Sequence, residues 1–442
     1  MKKNIRKNSV DGIFILGAGV TGLSACHTSG FPIYEAEDIV GGICTSYYMK
    51  KGSRKRLFKA SIDDNEYHFE IGGGHWIFGG DPEIKKLINK LSPCKTYERA
   101  SSVYLPSQKL FVPYPLQNNL SFLDNKLAHR AFDEILNPPK SNIKTMKDWL
   151  ENNFGKTLSG LFFNPFHKLY TADLYTRIAP QDSYKSPINK EDVKRGYEGR
   201  VESVGYNTTF IYPQKGLDSL TRSLAKKCDI KFGKKIERID LKRKLLFFHD
   251  NNSVKFKKII STLSLNKMIK MTGLKIGEKP FPSPSVLVVN IGAKKGSKCP
   301  DDHWIYVPKS KLGFHRVGFY SNVDSMFLPR KHRKSKDRVS IYVEKAYPEN
   351  TSLSHKEKNK VARQIIKELQ DWGWIGKVDI FDPTWIETAY TWSWPNSTWR
   401  EKAIKALERH DVFQVGRYGR WIFQGIADSI KDGLDIGKKF SS

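Results

Sequence analysis

Short apolar runs near the start of the chain predict strands, and the residues between them predict a short helix. The run Ile13–Leu16 is apolar throughout and ends at a glycine, as buried strands that enter a tight turn do. A second short run covers residues 31–34, after an interval that fits one short helix. The opening therefore predicts a strand–helix–strand unit within residues 10–48, followed by an alternating strand at residues 67–71.

The spacing of apolar positions changes after residue 81 and becomes mostly helical to about residue 205. Asp81 and Pro82 are typical of a helix start. The apolar residues that follow share one helical face: Ile84, Leu87, Ile88 and Leu91. Further helices are predicted at residues 121–136, 145–154 and 157–170. Prolines at positions 113, 115, 138 and 139 divide the region into pieces.

Strand-like segments return from residue 207 onward. They are predicted at residues 209–212, 229–232, 235–240, 244–249, 254–261, 285–291, 304–307, 314–320 and 338–345. A helix is predicted at residues 351–372 and a last strand at residues 411–416, after which the chain becomes helical again. This order predicts a chain that leaves its first domain and returns to it at the end.

Four residues around the first predicted turn form a dinucleotide-binding fingerprint. Gly17, Gly19 and Gly22 have the G-x-G-x-x-G spacing between a predicted strand and a predicted helix, and Glu35 ends the next strand. The first glycine permits the tight turn, the second lets a pyrophosphate approach the backbone, and the third lets helix and strand pack closely. The acid can accept hydrogen bonds from ribose hydroxyls. A glycine-rich turn without a ligand is the alternative, and the flanking pattern favours the binding site.

A pair of adjacent glycines after Glu35 distinguishes between FAD and NAD as the cofactor. Gly41 and Gly42 lie six and seven residues after Glu35, where the absence of side chains lets the backbone approach a ligand. The segment resembles the E-x(5)-GG extension of FAD-binding flavoproteins in the amine oxidase and protoporphyrinogen oxidase superfamily. The resemblance implies FAD, and no histidine or cysteine lies in an obvious motif for covalent attachment.

These patterns together predict an α/β fold: a discontinuous Rossmann-type FAD-binding domain with a helical insertion and a β-rich substrate domain. The first part of the FAD-binding domain is predicted at residues 1–110, and the chain returns to it at residues 206–265 and 401–442. The helical domain, for substrate or nucleotide, is predicted at residues 111–205, and the antiparallel β-rich substrate domain at residues 266–400.

The net charge of +29 attracts anionic partners in general. Basic residues cluster only in short runs at 50–57, 234–244, 255–258 and 330–336, without interleaved aromatic residues. This distribution favours a lysine-rich solvated surface over nucleic-acid binding, and it leaves peripheral contact with an anionic membrane open.

Cysteine usage and hydropathy indicate the compartment. The five cysteines show no C-x-x-C spacing, which argues against a structural metal or a disulfide framework: Cys26, Cys44, Cys94, Cys228 and Cys299. The basic N-terminus lacks the apolar region of a signal peptide, and no apolar stretch approaches the roughly 18 residues of a membrane span. We expect a cytoplasmic protein.

Five further segments resemble UDP-galactopyranose mutases, especially the eukaryotic-type branch and its bacterial relatives, and they keep the order of that family. They are residues 71–78 (IGGGHWIF), 112–120 (VPYPLQNNL), 164–170 (NPFHKLY), 315–322 (HRVGFYSN) and 416–421 (GRYGRW). The first resembles a loop that faces the flavin in that family, the second resembles a segment that lines its nucleotide pocket, and the third resembles its helical substrate segment. The last two resemble the segments that carry the diphosphate-binding arginines.

The resemblance implies a role for each matching residue. The catalytic residues are expected to be His75, Arg316 and Arg417. Cofactor binding is expected at Gly17, Gly19, Gly22, Glu35, Gly41, Gly42, Gly74, Gly416 and Gly425. Substrate binding is expected at Gln117, Asn118, Phe166, His167, Tyr170, Trp394 and Phe423, and no metal is expected.

Structural roles remain open for several of these residues. His75 could cap its glycine loop, and Gln117 could belong to a plain turn after two prolines. Phe166, His167 and Tyr170 have the character of helix-packing residues. Each arginine taken alone could form a surface salt bridge in so basic a chain.

Two departures concern hydroxyl groups near the expected diphosphate. The family has a tyrosine six residues after its second arginine, where this chain has Phe423. Its "YxYPxPT" segment corresponds to residues 390–398, where Trp394 replaces the tyrosine beside the proline. Residues 424–429 also lack the usual asparagine near the sugar. We therefore expect UDP-galactose to be a poor substrate or not the preferred one, and a 6-deoxy or N-acetylated sugar on uridine or thymidine diphosphate is the candidate.

The function implied by the resemblance is a flavin-dependent nucleotide-sugar mutase for cell-surface polysaccharide synthesis. Such an isomerase interconverts pyranose and furanose forms of a nucleoside-diphosphate sugar through attack of reduced-flavin N5 on the anomeric carbon. NAD(P)H is a candidate external reductant, and a homo-oligomer stays open. The alternative is an FAD-dependent oxidoreductase of the amine oxidase or protoporphyrinogen oxidase type. A non-enzymatic module that keeps FAD as a relic is disfavoured by the intact fingerprint.

Overall fold

A computed structural model describes residues 12–59, 65–139, 142–180, 188–200 and 208–441. The basic N-terminal residues considered above lie outside the described residues. The strands are β1 (Ile13–Leu16), β2 (Ile33–Tyr34), β3 (Ser46–Lys50), β4 (Glu66–Glu70), β5 (Ile77–Phe78), β6 (Cys94–Glu98), β7 (Ser101–Leu105), β8 (Leu110–Pro113), β9 (Thr209–Pro213), β10 (Ile230–Lys231), β11 (Ile236–Asp240), β12 (Leu245–Phe248), β13 (Ser253–Lys255), β14 (Lys258–Ser261), β15 (Ser285–Lys295), β16 (Trp304–Tyr306), β17 (Arg316–Phe319), β18 (Arg338–Tyr347), β19 (Ile375–Ile386) and β20 (Val412–Gln414).

Helices connect these strands. They are α1 (Val20–Ser29), α2 (Pro82–Leu91), α3 (Asn125–Leu136), α4 (Met146–Leu158), α5 (Asn164–Tyr170), α6 (Lys190–Tyr197), α7 (Leu217–Ala225), α8 (Leu265–Thr272), α9 (Tyr320–Val323), α10 (His355–Asp371), α11 (Trp399–Glu408), α12 (Gly416–Gly419) and α13 (Ile426–Ser441), with a π-helical turn at Ser159–Phe163 between α4 and α5. Within the described residues, no helix is both long and apolar enough to cross a membrane.

A parallel sheet of five strands, in the order β10-β2-β1-β14-β20, forms the first layer. It draws its strands from the beginning, the middle and the end of the chain. Phe14 and Leu16 pack on one face against α8, α11 and β11–β13, while Ile15 packs on the other against α1, α7 and α13. Alternate side chains of β1 thus pack against two different layers, and the sheet is covered on both faces, as in doubly wound sheets. The predicted α/β class is confirmed.

Two glycines let α13 lie directly against α1. A Cβ at Gly433 would come within 2.2 Å of the Thr21 carbonyl oxygen, and one at Gly437 within 2.1 Å of Thr28 Oγ1. Such distances are far below any real contact, so only glycine permits this approach. The close packing brings the start of the last helix beside the turn that follows β1.

The larger sheet has seven strands in the order β19-β15-β18-β17-β16-β7-β8. Every neighbouring pair is antiparallel except β16 and β7, which run parallel. Leu287 and Val289 pack with α10 on one face, whereas Val286 and Val288 point to the opposite face. That opposite face forms a wall of the cavity described below.

The structure corrects several predicted elements. Residues 94–113 were expected in a mostly helical region, yet they form β6, β7 and β8, because β7 pairs with β16 some two hundred residues later. The strand predicted at 254–261 divides into β13 and β14, which belong to different sheets. The sequence pattern also missed β19 and the helices α7, α8 and α11. The helices predicted from residues 82, 121, 145 and 157 are present, with shifted ends. The domain boundaries stay a prediction.

Candidate cofactor and substrate cavity

One cavity of about 740 Å³ lies where the parallel sheet, the seven-stranded sheet and the helical region meet. Most residues expected at the site line it: Gly17, Gly19, Glu35, Gly41, Gly42, Gly74, His75, Phe166, His167, Tyr170, Arg316, Gly416, Arg417, Phe423 and Gly425. Gly22, Gln117, Asn118 and Trp394 do not line it. The fold thus brings residues separated by up to four hundred positions to one space.

The turn after β1 is shaped to receive a ligand. Gly17 has φ +96°, and a Cβ there would come within 2.4 Å of Thr262 Oγ1. At Gly19 a Cβ would meet no heavy atom within 4 Å, so the backbone there borders open space. A Cβ at Gly22 would lie 2.0 Å from the carbonyl oxygen of Gly17. The three glycines therefore provide a turn, an open approach and close helix packing.

The Glu35 carboxylate is fixed beside this turn. Its Oε2 accepts a hydrogen bond of 2.6 Å from the backbone N–H of Ala18, and its Oε1 accepts one of 3.0 Å from the N–H of Glu37. These bonds use backbone donors on both sides of the carboxylate. Each carboxylate oxygen can accept more than one bond, so capacity remains for hydroxyl donors from the cavity.

Further glycines bring two more backbone segments to the same place. Gly41 has φ +108° and donates its N–H to the carbonyl of Ala18 at 2.8 Å. A Cβ at Gly42 would be 3.7 Å from the Cα of Gly19. Gly416, with φ +76°, would place a Cβ 2.6 Å from Thr21 Oγ1. We call Gly17, Gly19, Gly41, Gly42 and Gly416 the cradle. The cradle, the Glu35 carboxylate and the cavity volume fit FAD, because the open side at Gly19 leaves room for a pyrophosphate against the backbone.

The loop after β4 presents His75 to the cavity. A Cβ at Gly72 would lie 2.3 Å from His75 Cε1, and one at Gly74 would lie 2.0 Å from the Tyr342 hydroxyl. The ring Nδ1 is 3.4 Å from the carbonyl oxygen of Gly73. Burial lowers the pKa of His75 to about 4, so the imidazole is neutral near pH 7.

Arg316 is paired with a carboxylate that the sequence pattern did not single out. Strand register places Arg316 on β17 opposite Glu344 on β18. The guanidinium Nη2 donates to both carboxylate oxygens, at 2.5 and 2.7 Å. The Tyr390 hydroxyl donates to Glu344 Oε2 at 3.1 Å, and His315 Nε2 lies 3.5 Å from that oxygen. The positive charge of Arg316 is therefore largely balanced.

The electrostatics of Glu344 follow from this pairing. The side chain is only 2% exposed, and burial alone would raise its pKa. The neighbouring Arg316 charge and the hydrogen bonds from His315 and Arg316 outweigh burial and lower the pKa to about 2. Glu344 is thus ionised at neutral pH. A carboxylate directly after the apolar run 341–343 of a predicted strand was the signal that could have revealed it.

Arg417 has no such carboxylate. Its Nη1 donates to the carbonyl of Gln424 at 3.3 Å, and its guanidinium lies 4.6 Å from the centre of the Phe423 ring. Its Nε is buried without a hydrogen-bond partner, and among the described residues no acidic side chain pairs with it. Phe423 therefore supports Arg417 by stacking instead of offering a hydroxyl group. Arg417 is therefore a cation of the cavity that no carboxylate of the described residues neutralises.

Aromatic side chains from the helical region form the remaining wall. The π-helical turn directly precedes α5, and His167 Nδ1 lies 2.7 Å from the carbonyl oxygen of Phe163. The Tyr170 ring contacts the rings of His315 and Tyr390, with centroids 5.4 and 4.5 Å apart. Further aromatic residues, from the helical region and from the large sheet and the loop after it, line the cavity and were not among the predicted site residues: Tyr114, Trp149, Phe162, Phe163, Trp304, Tyr306 and Tyr390.

Three predicted substrate residues lie elsewhere. Gln117 is only 1% exposed, and neither atom of its amide has a partner among the described residues. Asn118 is also buried, with its Oδ1 unpaired. Trp394 Nε1 donates to the carbonyl of Pro280 at 2.8 Å, and Lys279 Nζ lies 4.1 Å from the centre of the indole. Their participation in substrate binding stays a prediction.

Comparison with known proteins places the chain in a family. The sequence profile of the flavin containing amine oxidoreductase family matches residues 31–282, more than half of the chain. A crystal structure of reduced UDP-galactopyranose mutase resembles this chain with a TM-score of 0.83 at 20% identity, covering 97% of this chain and 95% of that one.

Two other solved structures share the architecture less closely. A fatty acid isomerase from P. acnes, described as producing CLA, has a TM-score of 0.58 at 14% identity and covers 98% of this chain and 99% of its own. An oxidoreductase from Methanosarcina mazei has a TM-score of 0.56 at 14% identity, covering 96% and 99%. At such identities these likenesses concern the fold.

Proposed function

This chain belongs to the flavin containing amine oxidoreductase family, and within it we propose an FAD-dependent mutase that interconverts the pyranose and furanose forms of a nucleoside-diphosphate sugar. The observation that carries the proposal is that Arg316 and Arg417 line the same cavity as the dinucleotide cradle. The fold likeness to a reduced UDP-galactopyranose mutase supports it. The proposed setting is cell-surface polysaccharide synthesis.

Cofactor binding is assigned to the cradle residues. Gly17, Gly19 and Glu35 would hold the pyrophosphate and ribose of FAD, with Gly41 and Gly416 closing the backbone around them. Bound reduced FAD would supply an electron-rich N5 that can attack an anomeric carbon. The neutral His75 faces the same space and would accept or donate one hydrogen bond without adding charge.

The arginines would bind the diphosphate and keep it in place after it leaves the sugar. A guanidinium binds phosphate oxygens through paired N–H groups, and such charge-assisted bonds are about twice as strong as neutral ones. Arg417 is free of carboxylates among the described residues and would make the first contact. Arg316 is held by Glu344 and would offer its remaining N–H groups to the ligand. The aromatic wall would exclude water from the sugar.

Phe423 bears on the identity of the sugar. A phenylalanine stacked on Arg417 provides no hydroxyl group to the diphosphate. We therefore propose that UDP-galactose is a poor substrate, and that a 6-deoxy or N-acetylated sugar on uridine or thymidine diphosphate is preferred.

The test uses protein reduced with dithionite and a panel of nucleotide sugars, with products separated by chromatography. We expect interconversion without net consumption of reductant and no activity of the oxidised protein. Arg417→Ala and Arg316→Ala should weaken the binding of UDP or dTDP at least about tenfold, and lysine should restore only part of it. Arg420→Ala is the matched control, since Arg420 pairs with Asp432 outside the cavity. Undiminished binding by both arginine variants would contradict the proposal.

A second candidate is an FAD-dependent oxidoreductase, favoured by one observation. Glu344 balances Arg316, so the cavity between the arginines and the helical region is mainly aromatic. Such a wall also suits an apolar or amine substrate. Stoichiometric reduction of the flavin by a substrate under anaerobic conditions, without isomerisation of any nucleotide sugar, would favour this candidate over the mutase.

A further inference from the structure

The surface formed by β11, β12, β13 and the loop before them differs from the rest of the protein in charge. Residues 229–258 contain 10 Lys and Arg against 4 Asp and Glu, whereas the whole chain has 75 against 46. The excess of basic residues here is therefore larger than the general lysine richness explains. We call the loop 231–235 and the outward side of β11–β13 the basic face.

An aromatic side chain projects from the loop of the basic face. Phe232 is 43% exposed, which is unusual for a large apolar residue, and its neighbours include Lys231 and Lys235. The loop backbone is anchored, because the N–H of Glu35 donates to the carbonyl of Lys231 at 3.0 Å and the N–H of Lys234 donates to the carbonyl of Glu35 at 2.7 Å. Phe232 is thus presented on a hydrogen-bonded loop.

The outward side of the small sheet continues the same character. The inward residues Ile239 and Leu246 pack against α8 and α11, so their strand neighbours point outward. The outward Arg238 guanidinium stacks on the Phe247 ring at 3.8 Å. In the register of the sheet Arg238 opposes Phe247 of β12, and Lys255 opposes Leu245, the other outward residue of β12. Asp240 of β11 also lies on the outward side, where it opposes Leu245 and pairs with Arg238 and Arg243. The outward side therefore combines basic and apolar groups with a carboxylate that is already paired.

Several lysines of this face are available for a partner. Lys235 and Lys255 of the face, and Lys242 in the turn between β11 and β12, are exposed, and no acidic side chain of the described residues pairs with them. Others are paired, such as Lys234 with Asp250. Free ammonium groups beside an exposed phenylalanine are the chemistry that binds anionic headgroups while an aromatic ring enters the interface.

We propose that the basic face docks on an anionic lipid bilayer. Clustered lysines are attracted to the negative surface potential, and Phe232 would insert at the headgroup level. A nucleic acid would use the same charges, but Phe247 is covered by the Arg238 guanidinium, so Phe232 alone offers an open ring and no series of rings is presented to successive bases. The proposal does not rest on the mutase function, because the face lies outside the cavity.

The test is sedimentation of the full chain with sucrose-loaded vesicles, either phosphatidylcholine alone or with about one third phosphatidylglycerol, at about 0.1 M salt. We expect binding only to the anionic vesicles and loss of binding at about 0.5 M salt. Lys235→Glu/Lys255→Glu should weaken binding at least about tenfold, and Phe232→Ser about fivefold. Lys356→Glu/Lys360→Glu on α10 makes the same change in net charge far from the face and should alter binding less than about twofold.

Three results would overturn the proposal. The first is absence of binding to anionic vesicles. The second is an equal loss in the α10 control, which would show that only net charge matters. The third is tighter binding of a single-stranded oligonucleotide than of vesicles, with the same loss in Lys235→Glu/Lys255→Glu, which would assign the face to nucleic acid. All four lysines are exposed, so circular dichroism should show that each variant is folded.

Discussion

Replacing Glu344 by glutamine tests the central electrostatic feature of the cavity. The variant keeps the size of the side chain and removes the charge that balances Arg316. The pKa of Glu344 lies at about 2 instead of 4.5, and this difference corresponds to about 3 kcal/mol of stability at neutral pH. Removing one partner of a buried ion pair typically costs about 3–5 kcal/mol, and the value obtained from the pKa difference lies in the same range. We expect Glu344→Gln to lower the free energy of unfolding by about that amount.

The sign of the pH dependence follows from the same lowered pKa. A carboxyl group whose pKa is lower in the folded state stabilises the protein above its unfolded pKa, and the stabilisation is lost as the pH falls. The difference between wild type and Glu344→Gln should therefore be full above about pH 4.5 and shrink as the pH falls towards 2. Urea unfolding at several pH values measures this difference.

Anions provide the link to function. If Arg316 faces the ligand, then UDP or inorganic phosphate should restore much of the stability of Glu344→Gln, because the anion takes the place of the carboxylate. Glu344→Gln/Arg316→Met removes both charges and should be more stable than the single variant. Glu368→Gln is the control, since the Glu368 carboxylate is buried outside the cavity and accepts bonds from the backbone of Lys311 and Leu312. Wild-type stability of Glu344→Gln, or equal rescue of both variants, would refute the reasoning.

Two other predictions concern the cradle and a second buried acid. The protein should purify yellow with releasable FAD. Gly19→Val should lose the flavin absorbance yet stay folded, because a Cβ at this position meets open space in the protein. Gly22→Val should unfold, because a Cβ there would lie 2.0 Å from a carbonyl oxygen. A folded, yellow Gly19→Val protein would contradict this. Burial raises the pKa of Glu70 to about 8, although the hydrogen bonds from Tyr212 and Ser46 act to lower that pKa. The contribution of the Glu70 carboxyl group to stability is therefore present below about pH 4.5 and is lost as the pH rises to about 8. Urea midpoints of Glu70→Gln should decline less than those of wild type over that range, and parallel declines would show that Glu70 does not carry the effect.

The cofactor cradle was accessible from the sequence because its determinants are local. Gly17 and Gly41 adopt positive φ angles that other residues rarely take, and Glu35 binds the backbone of Ala18 only 17 positions away. Such local requirements place particular residue types at fixed spacing in the sequence, where they can be recognised. The regular helices, such as α2, were predicted for the same reason, because a helix is specified by residues three and four apart.

Tertiary structure alone decided how the cavity is charged and closed. Arg316 faces Glu344 through the register of β17 with β18, and β7 enters the large sheet by pairing with β16, two hundred residues away. Trp394, which occupies a motif position in the sequence, turns to Pro280 instead of the cavity. These outcomes depend on which strands pair and which faces become buried. The physical cause is non-local. The sequence specifies the pattern of apolar and polar residues in each strand, but which strands pair, and in which register, depends on how the whole core buries its apolar faces.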